Sequence, residues 1–319
     1  MLNLVLYGKN GHQLNEEQVK NTPGVTLYGV CGTDAPAGVK RFSSLEEIAQ
    51  DAAVDLVSVC SPVRAEQGRD ILALVRAGKH VYAEKPFATD NGEIETILAE
   101  ARKRGVFAGE MCGTAFDEPY YTVKQCLAGG ELGEVVQVYM QKSYPYGEWR
   151  PQDERLDGGL IRQNAIHALR VLFHTLSLKD IKEMRAVETA KGNPHRAEYA
   201  DGGLRMAASF LFSFKNGAVA TVNANYLNPK GYGVWGNERL IAFCTKGSIE
   251  TDMLTHEVKI STDSGTRTLS CGAGKDYFKM VADHLNGLAE RPFPEELEFL
   301  PTRAANILRE NAEETEVRK

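Results

Sequence analysis

Residues 3–111 alternate between short apolar segments and amphipathic segments of helical length, and this alternation constrains the fold more than any other feature of the chain. The apolar segments are almost uninterrupted, as strands covered on both faces require. Strands and helices that alternate with short connections form right-handed crossovers in a doubly wound parallel sheet. We therefore predict an α/β fold here, with strands at 3–7, 25–31, 54–60, 80–83 and 106–111.

The pattern changes after residue 116. Residues 205–227 alternate apolar and polar side chains around Lys215-Asn216-Gly217, which is typical of a β-hairpin. A mostly antiparallel open sheet with helices segregated from it is an α+β domain. The sequence thus predicts two domains, residues 1–116 and 117–319. Further strands are predicted at 238–244, 248–252 and 256–261, and helices at 276–289 and 301–315.

Composition excludes several classes of function. The net charge of -6 and the pI near 5.8 argue against binding to nucleic acid or to an anionic membrane. No run of 18 apolar residues is present, so no transmembrane helix is predicted. The six cysteines show no C-x-x-C spacing, which predicts reduced thiols, no metal site and a cytoplasmic location.

The first predicted strand runs into Gly8-Lys9-Asn10-Gly11-His12. A dinucleotide-binding turn needs glycines there so that the backbone can approach a pyrophosphate. Only part of the G-x-G-x-x-G pattern is present, although Asn10 tolerates a left-handed conformation. The short distance from Gly11 to Val25 predicts a first helix of little more than two turns. An ordinary strand–turn–helix remains an alternative, but the position favours a nucleotide site at Gly8, Asn10 and Gly11.

The second strand ends in Cys31-Gly32-Thr33-Asp34. An acid at this point binds the adenosine ribose hydroxyls and repels a 2′-phosphate. Asp34 lies two residues beyond the expected position, and no arginine is adjacent. Asp34 therefore favours NAD over NADP.

Lys85 follows the predicted strand 80–83, in the sequence Gly78-Lys79-His80-Val81-Tyr82-Ala83-Glu84-Lys85-Pro86. Ligands collect at the carboxyl ends of parallel strands, so this lysine is placed to face a substrate. A buried lysine is costly without a partner, and an isolated lysine at a strand end is more often solvated. Both interpretations, solvated lysine and site lysine, are open from the residues alone.

Several segments, in order along the chain, resemble the Gfo/Idh/MocA family (glucose–fructose oxidoreductase, inositol dehydrogenase and rhizopine catabolism). Residues 77–86 look like the family's A-G-K-H-V-x-x-E-K-P signature, and Cys60-Ser61-Pro62 looks like its A-T-P turn. Residues 130–133 match its G-x-L-G. Residues 158–169 resemble its G-G-G…I-H-A-L helix, and residues 246–250 its T-K-G-S-[IL]-E strand.

The resemblance implies NAD(P)-dependent hydride transfer at a carbinol carbon of a sugar, an inositol or a related polyol. It implies a nucleotide-binding domain joined to a domain whose open sheet mediates assembly into a dimer or tetramer. Catalysis in the family is attributed to the E-K-P lysine with an aspartate and a histidine four residues apart. These positions are Lys85, Gln163 (in place of the aspartate) and His167. The resemblance also places Ser61, Pro62, Glu84 and Lys85 at the cofactor.

The helix after the glycines departs from the family in a second way. Gln163, His167, Arg170 and His174 fall on one face at helical spacing. Arg170 stands where the family often has an acid, and Arg162 is near it. Guanidinium groups suit carboxylates, so Lys85, Arg162, His167 and Arg170 predict contacts to an acid-bearing polyol. Alternatively the arginines of this region (also Arg150 and Arg155) pair with Glu148, Asp153, Glu154 and Asp157.

A further departure follows Pro62, where the family has P-N-x-x-H and this chain has Val63-Arg64-Ala65-Glu66-Gln67. No role is carried over to this segment. Gln163 leaves three functions open: a dehydrogenase or reductase, a catalytically impaired nucleotide-binding metabolite sensor, and an enzyme using bound NAD for net non-redox glycoside cleavage.

Overall fold

The computed structural model describes residues 1–34 and 36–314, and the chain divides into two compact units. Unit 1 consists of Met1–Gly113, Arg155–Gly158 and Asp276–Arg303, and unit 2 of Thr114–Glu154, Gly159–Lys275 and the residues from Ala304 onward. The predicted single boundary at 116 differs from this division. Helical residues near the C-terminus complete the core of unit 1, where the ring centroids of Phe299 and Phe87 lie 4.7 Å apart.

Unit 1 is built on a parallel sheet in the order β3-β2-β1-β4-β5-β6. This confirms the predicted doubly wound fold, and the order reverses between β1 and β4. The strands are β1 (Leu2–Tyr7), β2 (Val25–Cys31), β3 (Lys40–Arg41), β4 (Leu56–Val59), β5 (His80–Ala83) and β6 (Ala108–Glu110). The helices of this part are α1 (Glu16–Lys20), α2 (Leu45–Gln50), α3 (Gln67–Arg76) and α4 (Asn91–Arg104).

Helix ends in unit 1 follow local chemistry. Ser44 and Asp90 are N-caps, whose side chains accept hydrogen bonds from the backbone N–H of Glu47 and Glu93. Gly105 ends α4 in a left-handed conformation, with φ of 67°. The predicted and observed bounds of β2 and β5 coincide, whereas β3 is only two residues long and has no periodicity to detect.

Unit 2 carries a mostly antiparallel sheet in the order β14-β13-β12-β11-β7-β10-β9-β8-β15, with parallel pairing only at β7–β10 and β8–β15 among the described strands. The predicted hairpin is confirmed as β9–β10, with Gly217 at φ of 90°. The strands are β7 (Val135–Ser143), β8 (Ile181–Thr189), β9 (Ala207–Phe214), β10 (Val219–Asn225), β11 (Asn237–Cys244), β12 (Gly247–Asp252), β13 (Glu257–Thr262), β14 (Gly265–Ser270) and β15 (Glu313–Glu314).

The remaining helices are α5 (Tyr120–Ala128), α6 (Glu154–Asp157), α7 (Ile166–Arg170), α8 (Tyr277–Leu285) and α9 (Glu295–Glu310). π-helical turns at Ile161–Ala165 and Val171–Thr175 extend α7 at both ends, and we call the whole segment helix 161–175. Helix 161–175 covers one face of the unit 2 sheet, where Phe173 packs edge-on against Phe212. The predicted helix 301–315 begins earlier, at Glu295, and residue 315 lies outside the described residues.

Within residues 1–34 and 36–314, no helix is long and apolar enough to cross a membrane. The same residues contain no group of three or more His, Cys, Asp or Glu side chains that could hold a metal ion. All six cysteines are free thiols.

Candidate active site

The turn after β1 lies at the point where the strand order of unit 1 reverses. Gly8 has a φ of 71°, and a Cβ on it would lie 2.0 Å from the Cys60 carbonyl oxygen, so only glycine fits. The Gly8 N–H donates to the Cys31 carbonyl (2.8 Å), and the Asn10 N–H to that of Cys60 (3.3 Å). These bonds join the carboxyl ends of β1, β2 and β4. In doubly wound sheets this crevice is where ligands bind.

The second glycine of the turn brings it against the end of β5. Gly11 has a φ of 114°, and a Cβ there would lie 2.7 Å from the Glu84 side chain. The first helix does not begin here but at Glu16, after the N-cap Asn15, and is shorter than predicted. Gln13 holds the intervening segment as a loop, because its amide donates to the carbonyls of Tyr7, Gly8 and Ser58.

Lys85 is buried at the carboxyl end of β5, with 1% of its surface exposed. The structure therefore rejects the alternative of a solvated lysine. Its Nζ lies 3.9 Å from Oε1 of Glu84, which is equally buried. The same oxygen is 3.0 Å from Nδ1 of His12. A buried ammonium is tolerated beside a buried carboxylate because each compensates the desolvated charge of the other.

Gln67 fixes the segment that contains Lys85. Its side-chain nitrogen donates to three backbone carbonyls of residues 84–87, at 2.5, 2.8 and 3.3 Å. Its Oε1 accepts from the Ser61 N–H (3.3 Å) and from the Arg64 guanidinium. Gln67 is fully buried, and its amide connects the turn after β4 with the turn that contains Lys85.

Arg64 is the largest functional feature that sequence reasoning missed. It is 1% exposed, and its guanidinium donates to the carbonyl of Asn10 as well as to Gln67. Both residues come from the segment after Pro62 that departs from the family pattern. Their spacing of three on one helical face was the available signal. Arg64 and Gln67 therefore support both the turn at residues 8–11 and the turn that contains Lys85.

The charges around Glu84 determine its ionisation. Burial raises the pKa of this carboxyl, because the charged form is costly to desolvate. The hydrogen bond with His12 and the charges of Lys85 and Arg64 outweigh that effect and lower the pKa to about 2. The folded pKa lies below the ordinary value of 4.5, so the stabilisation is present above pH 4.5 and is lost as the pH falls through about 2.

We expect Glu84→Gln to lower the free energy of unfolding by roughly 3 kcal/mol at pH 7, because the neutral amide leaves the surrounding cations uncompensated. The deficit should shrink as the pH falls from 4.5 towards 2, where wild-type Glu84 takes up a proton. Urea unfolding at pH 7, 4.5 and 3 measures it. Glu66→Gln, which breaks only an exposed pair with Arg69, is the control and should change stability little. An equal deficit at all three pH values would contradict the assignment.

The other predicted cofactor residues of unit 1 fall into two groups. Ser61 is buried and its hydroxyl donates to Asp70 (2.8 Å), while the Pro62 carbonyl accepts from the Asn10 amide (3.1 Å). These contacts hold the turn after β4 against the glycine turn. Asp34 is exposed, beyond the end of β2. The backbone around Gly8 therefore leaves space for a cofactor, and Asp34 places a carboxylate on the surface.

This arrangement fits a nicotinamide dinucleotide. Gly8 and Gly11 keep the backbone close to the strand ends where a side chain would obstruct it. A Cβ on Gly32 would lie no closer than 3.8 Å to Gly8, so the ends of β1 and β2 meet backbone to backbone. Glu84 and Lys85 bring charges to the same edge of the sheet, and close backbone approach there is the requirement of dinucleotide binding.

In unit 2, helix 161–175 carries the remaining predicted site residues. Gln163 and His167 are half-buried, whereas Arg170 and His174 are only 2% and 1% exposed. The predicted shared face assumed 3.6 residues per turn, and the π-helical turns change that spacing. Arg170 is buried, and its predicted contact with a substrate stays a prediction.

The predicted basic region is divided among separate contacts. Arg162 donates from Nε to the Asn306 side chain (2.8 Å), and Arg150 lies over the rings of Trp149 and Tyr226. Arg155 belongs to unit 1. Two of the four proposed acidic partners have other contacts, since Glu148 contacts His195 and Glu154 contacts Arg309. The predicted anion site and the predicted pairing of the remaining charges stay predictions.

His167 lies beside an aromatic group. Its ring meets Tyr144 edge to face, with centroids 6.3 Å apart and an interplanar angle of 83°. The helix is anchored to the sheet next to it, because the Asn164 amide donates to the Asn225 carbonyl (2.9 Å). Gly159, with a φ of 68°, precedes the helix and allows its sharp start. Histidine is the side-chain type best suited to exchanging a proton with a ligand near neutral pH.

Two family models match the chain. The model described as "Oxidoreductase family, NAD-binding Rossmann fold" covers residues 17–110, and that of the "GFO/IDH/MocA C-terminal domain" covers residues 120–250. Among curated relatives, an uncharacterized oxidoreductase (YrbE) of Bacillus subtilis is 27% identical over 66% of this chain and 59% of its own length. The myo-inositol 2-dehydrogenase of Thermotoga maritima is 23% identical over 70% and 64%. The chain thus spans about three fifths of the length of these relatives.

Solved structures share the fold. A putative oxidoreductase from Thermotoga maritima superposes with a TM-score of 0.85 at 21% identity, over 97% of both chains. An aldose-aldose oxidoreductase from Caulobacter crescentus superposes with a TM-score of 0.79 at 18% identity, over 98% and 97%. At these identities the similarity establishes the architecture of both units.

Proposed function

We propose a dehydrogenase or reductase function for this chain, which belongs to the GFO/IDH/MocA oxidoreductase family. It transfers a hydride between a nicotinamide cofactor and a carbinol carbon of a sugar, an inositol or a sugar acid. The observation that carries the proposal is the buried Lys85 at a strand end of unit 1, held by Glu84 and Gln67. A buried lysine at a strand end, next to a crevice where ligands bind, is a candidate for chemistry, and this supports a catalytic role for Lys85.

Residues of unit 1 hold the cofactor in this proposal. The backbone at Gly8, Asn10 and Gly11 receives the pyrophosphate, and residues 61–62 and Glu84 flank it. Asp34 receives the adenosine ribose, and its carboxylate disfavours a 2′-phosphate, which supports NAD over NADP. When bound, the nicotinamide supplies the acceptor or donor of the hydride.

The family resemblance assigns the proton chemistry to two side chains, Lys85 and His167. The Lys85 ammonium donates a hydrogen bond to the substrate oxygen and stabilises negative charge as the hydroxyl proton leaves. His167 takes that proton as general base, a role for which histidine is the commonest side chain. Gln163 stands where the resemblance places an acid, and an amide can orient the imidazole but adds no charge. The proposed enzyme therefore works without the usual charge stabilisation of its base.

Two independent measurements test the function. Calorimetry with NAD and with NADP measures nucleotide binding, and the absorbance of the reduced cofactor measures turnover of myo-inositol, glucose and glucuronate. We expect binding of NAD and turnover of at least one polyol. Binding without turnover would identify a metabolite sensor instead. Gln163, in place of the family's aspartate, favours that function. Absence of binding to either nucleotide would overturn the site assignments in unit 1.

We also propose that the chain forms a homo-oligomer through the outer face of the unit 2 sheet. Val187, Leu211, Val219 and Phe243 lie on this face by strand register and are 40–53% exposed. Buried Phe210 and Phe212 alternate with Leu211 towards the opposite face. A second copy of the same face would remove these side chains from water.

Light scattering after gel filtration should give a mass above the 35.1 kDa of one chain. Leu211→Glu should shift the protein to the monomer, because the charge falls in the middle of the apolar face. Lys182→Glu, at an exposed position of β8, is the control and should keep the oligomer. A monomeric wild-type protein would contradict the proposal.

A further inference from the structure

The two tryptophans of the chain lie together on the surface of unit 2. Trp149 and Trp235 are 67% and 56% exposed, and their rings are nearly parallel, with centroids 6.4 Å apart and an interplanar angle of 18°. Tyr144 lies 5.9 Å from Trp235 on one side and meets His167 on the other. We call Tyr144, Trp235 and Trp149 the aromatic strip. It leads outward from His167 one ring at a time.

Two charged side chains contact rings of the aromatic strip. The Arg150 guanidinium carbon lies 4.8 Å from the Trp149 ring centre and 3.9 Å from that of Tyr226, and both Arg150 and Tyr226 are buried. Lys142 places its Nζ 4.7 Å from the Tyr144 ring centre and is ion-paired with Glu238. These cations are already engaged by rings or by an acid. These contacts fix the positions of the rings.

The exposed strip has a definite ligand chemistry. Large apolar rings left in water on a fixed support mark a binding surface. One face of a pyranose or cyclitol ring presents only C–H groups, which carry slight positive charge and pack against the negative face of an aromatic ring. The hydroxyls of such a ring point sideways into water. A rigid row of aromatic faces therefore selects saccharide rings without needing a charge on them.

The length of the aromatic strip indicates more than one sugar ring. From His167 through Tyr144 and Trp235 to Trp149, successive ring centres lie 6.3, 5.9 and 6.4 Å apart, and each step is comparable with the spacing of adjacent rings in a disaccharide. We propose that Trp235 and Trp149 form a stacking subsite for a second, non-reacting saccharide ring, so that the substrate is a disaccharide or larger glycoside. This inference rests on the proposed function, because it takes His167 as the reacting end.

Tryptophan fluorescence tests the subsite directly, because both tryptophans of the chain belong to it. We titrate the protein, without cofactor, with a panel of disaccharides (cellobiose, maltose, lactose, sucrose and trehalose), with glucose and with glucuronate. At least one disaccharide should give a saturable spectral change at a concentration about tenfold below that needed for glucose. Single-tryptophan variants Trp149→Phe and Trp235→Phe should each retain a change.

Substitutions separate this subsite from general structure. Trp235→Ala should raise KM for the responding disaccharide about tenfold with a smaller effect on kcat, and Trp235→Tyr should restore most of the affinity. Tyr199→Ala removes another exposed aromatic of unit 2 outside the strip and should leave the titration unchanged.

The outcomes distinguish this inference from the proposed function. If nucleotide binding and polyol turnover are found but no disaccharide changes the fluorescence, the subsite is wrong and the function stands. A response to glucuronate alone would likewise overturn the subsite in favour of anion recognition. A disaccharide response without nucleotide binding would support the subsite and overturn the dehydrogenase.

Discussion

Replacing Lys85 with methionine is expected to lower kcat by about 10²–10³-fold, the loss found when one donor to a developing oxyanion is removed. Methionine nearly matches lysine in volume, so the buried position stays filled while the ammonium is lost. Nucleotide affinity should change much less than kcat, because the glycine turn is held by Arg64 and Gln67. Steady-state kinetics on the polyol that the wild-type protein turns over, together with nucleotide titration, measures both.

Lys79 provides a matched control. It is also buried, with 5% exposed, but its Nζ donates to the backbone carbonyls of Asp51 (2.6 Å) and Val54 (2.9 Å). Lys79→Met should therefore lower the free energy of unfolding and leave kcat unchanged. Equal kinetic effects of the two substitutions, or wild-type kcat in Lys85→Met, would show that Lys85 has a structural role only.

The parts of this site that could be predicted from sequence are those encoded locally. The apolar strands of unit 1 and the lysine after β5 are contiguous patterns, and the register of a doubly wound sheet then brings Gly8 and Lys85 to the same edge. Unit 2 was harder. β7 and β8 were not predicted because their polar and apolar residues alternate irregularly, with only Val138 and Met140 among the fully buried hydrophobics of β7.

The parts that could not be predicted depend on distant partners. Arg64 and Gln67 are ordinary helix-start residues until Asn10 and the backbone of residues 84–87 supply their acceptors. The π-helical turns on either side of α7 were not predicted either, because no 3.6-residue periodicity anticipates them. Residues 276–303 contain α8 and the first part of α9 and belong to unit 1, but their sequence does not indicate which of the two hydrophobic cores they pack against. Tertiary contacts, rather than local propensity, decide all of these features.

Replacing His167 with asparagine is expected to lower kcat by about 10²–10⁴-fold, the usual contribution of a positioned general base. Asparagine keeps a polar group beside Tyr144 but cannot accept a proton near neutral pH. The rate that remains should lose the acid limb of its pH profile. His174→Asn is the control from the same helix, because His174 is buried and has no proposed role in proton transfer. It should affect stability more than kcat.

The substitution Gln163→Asp tests the role of His167 through an expected increase in kcat. A carboxylate one helical turn before His167 would favour the charged imidazole, so kcat should rise by about tenfold or more, given the cost of the reverse acid-to-amide change in a serine protease. The acid limb of kcat/KM should move to higher pH, because the neutral base then forms only at higher pH. Gln163→Glu, with a longer side chain, is the matched variant and should gain less. A Gln163→Asp protein with unchanged rate and unchanged pH profile would contradict the pairing of residue 163 with His167 that the family resemblance implies.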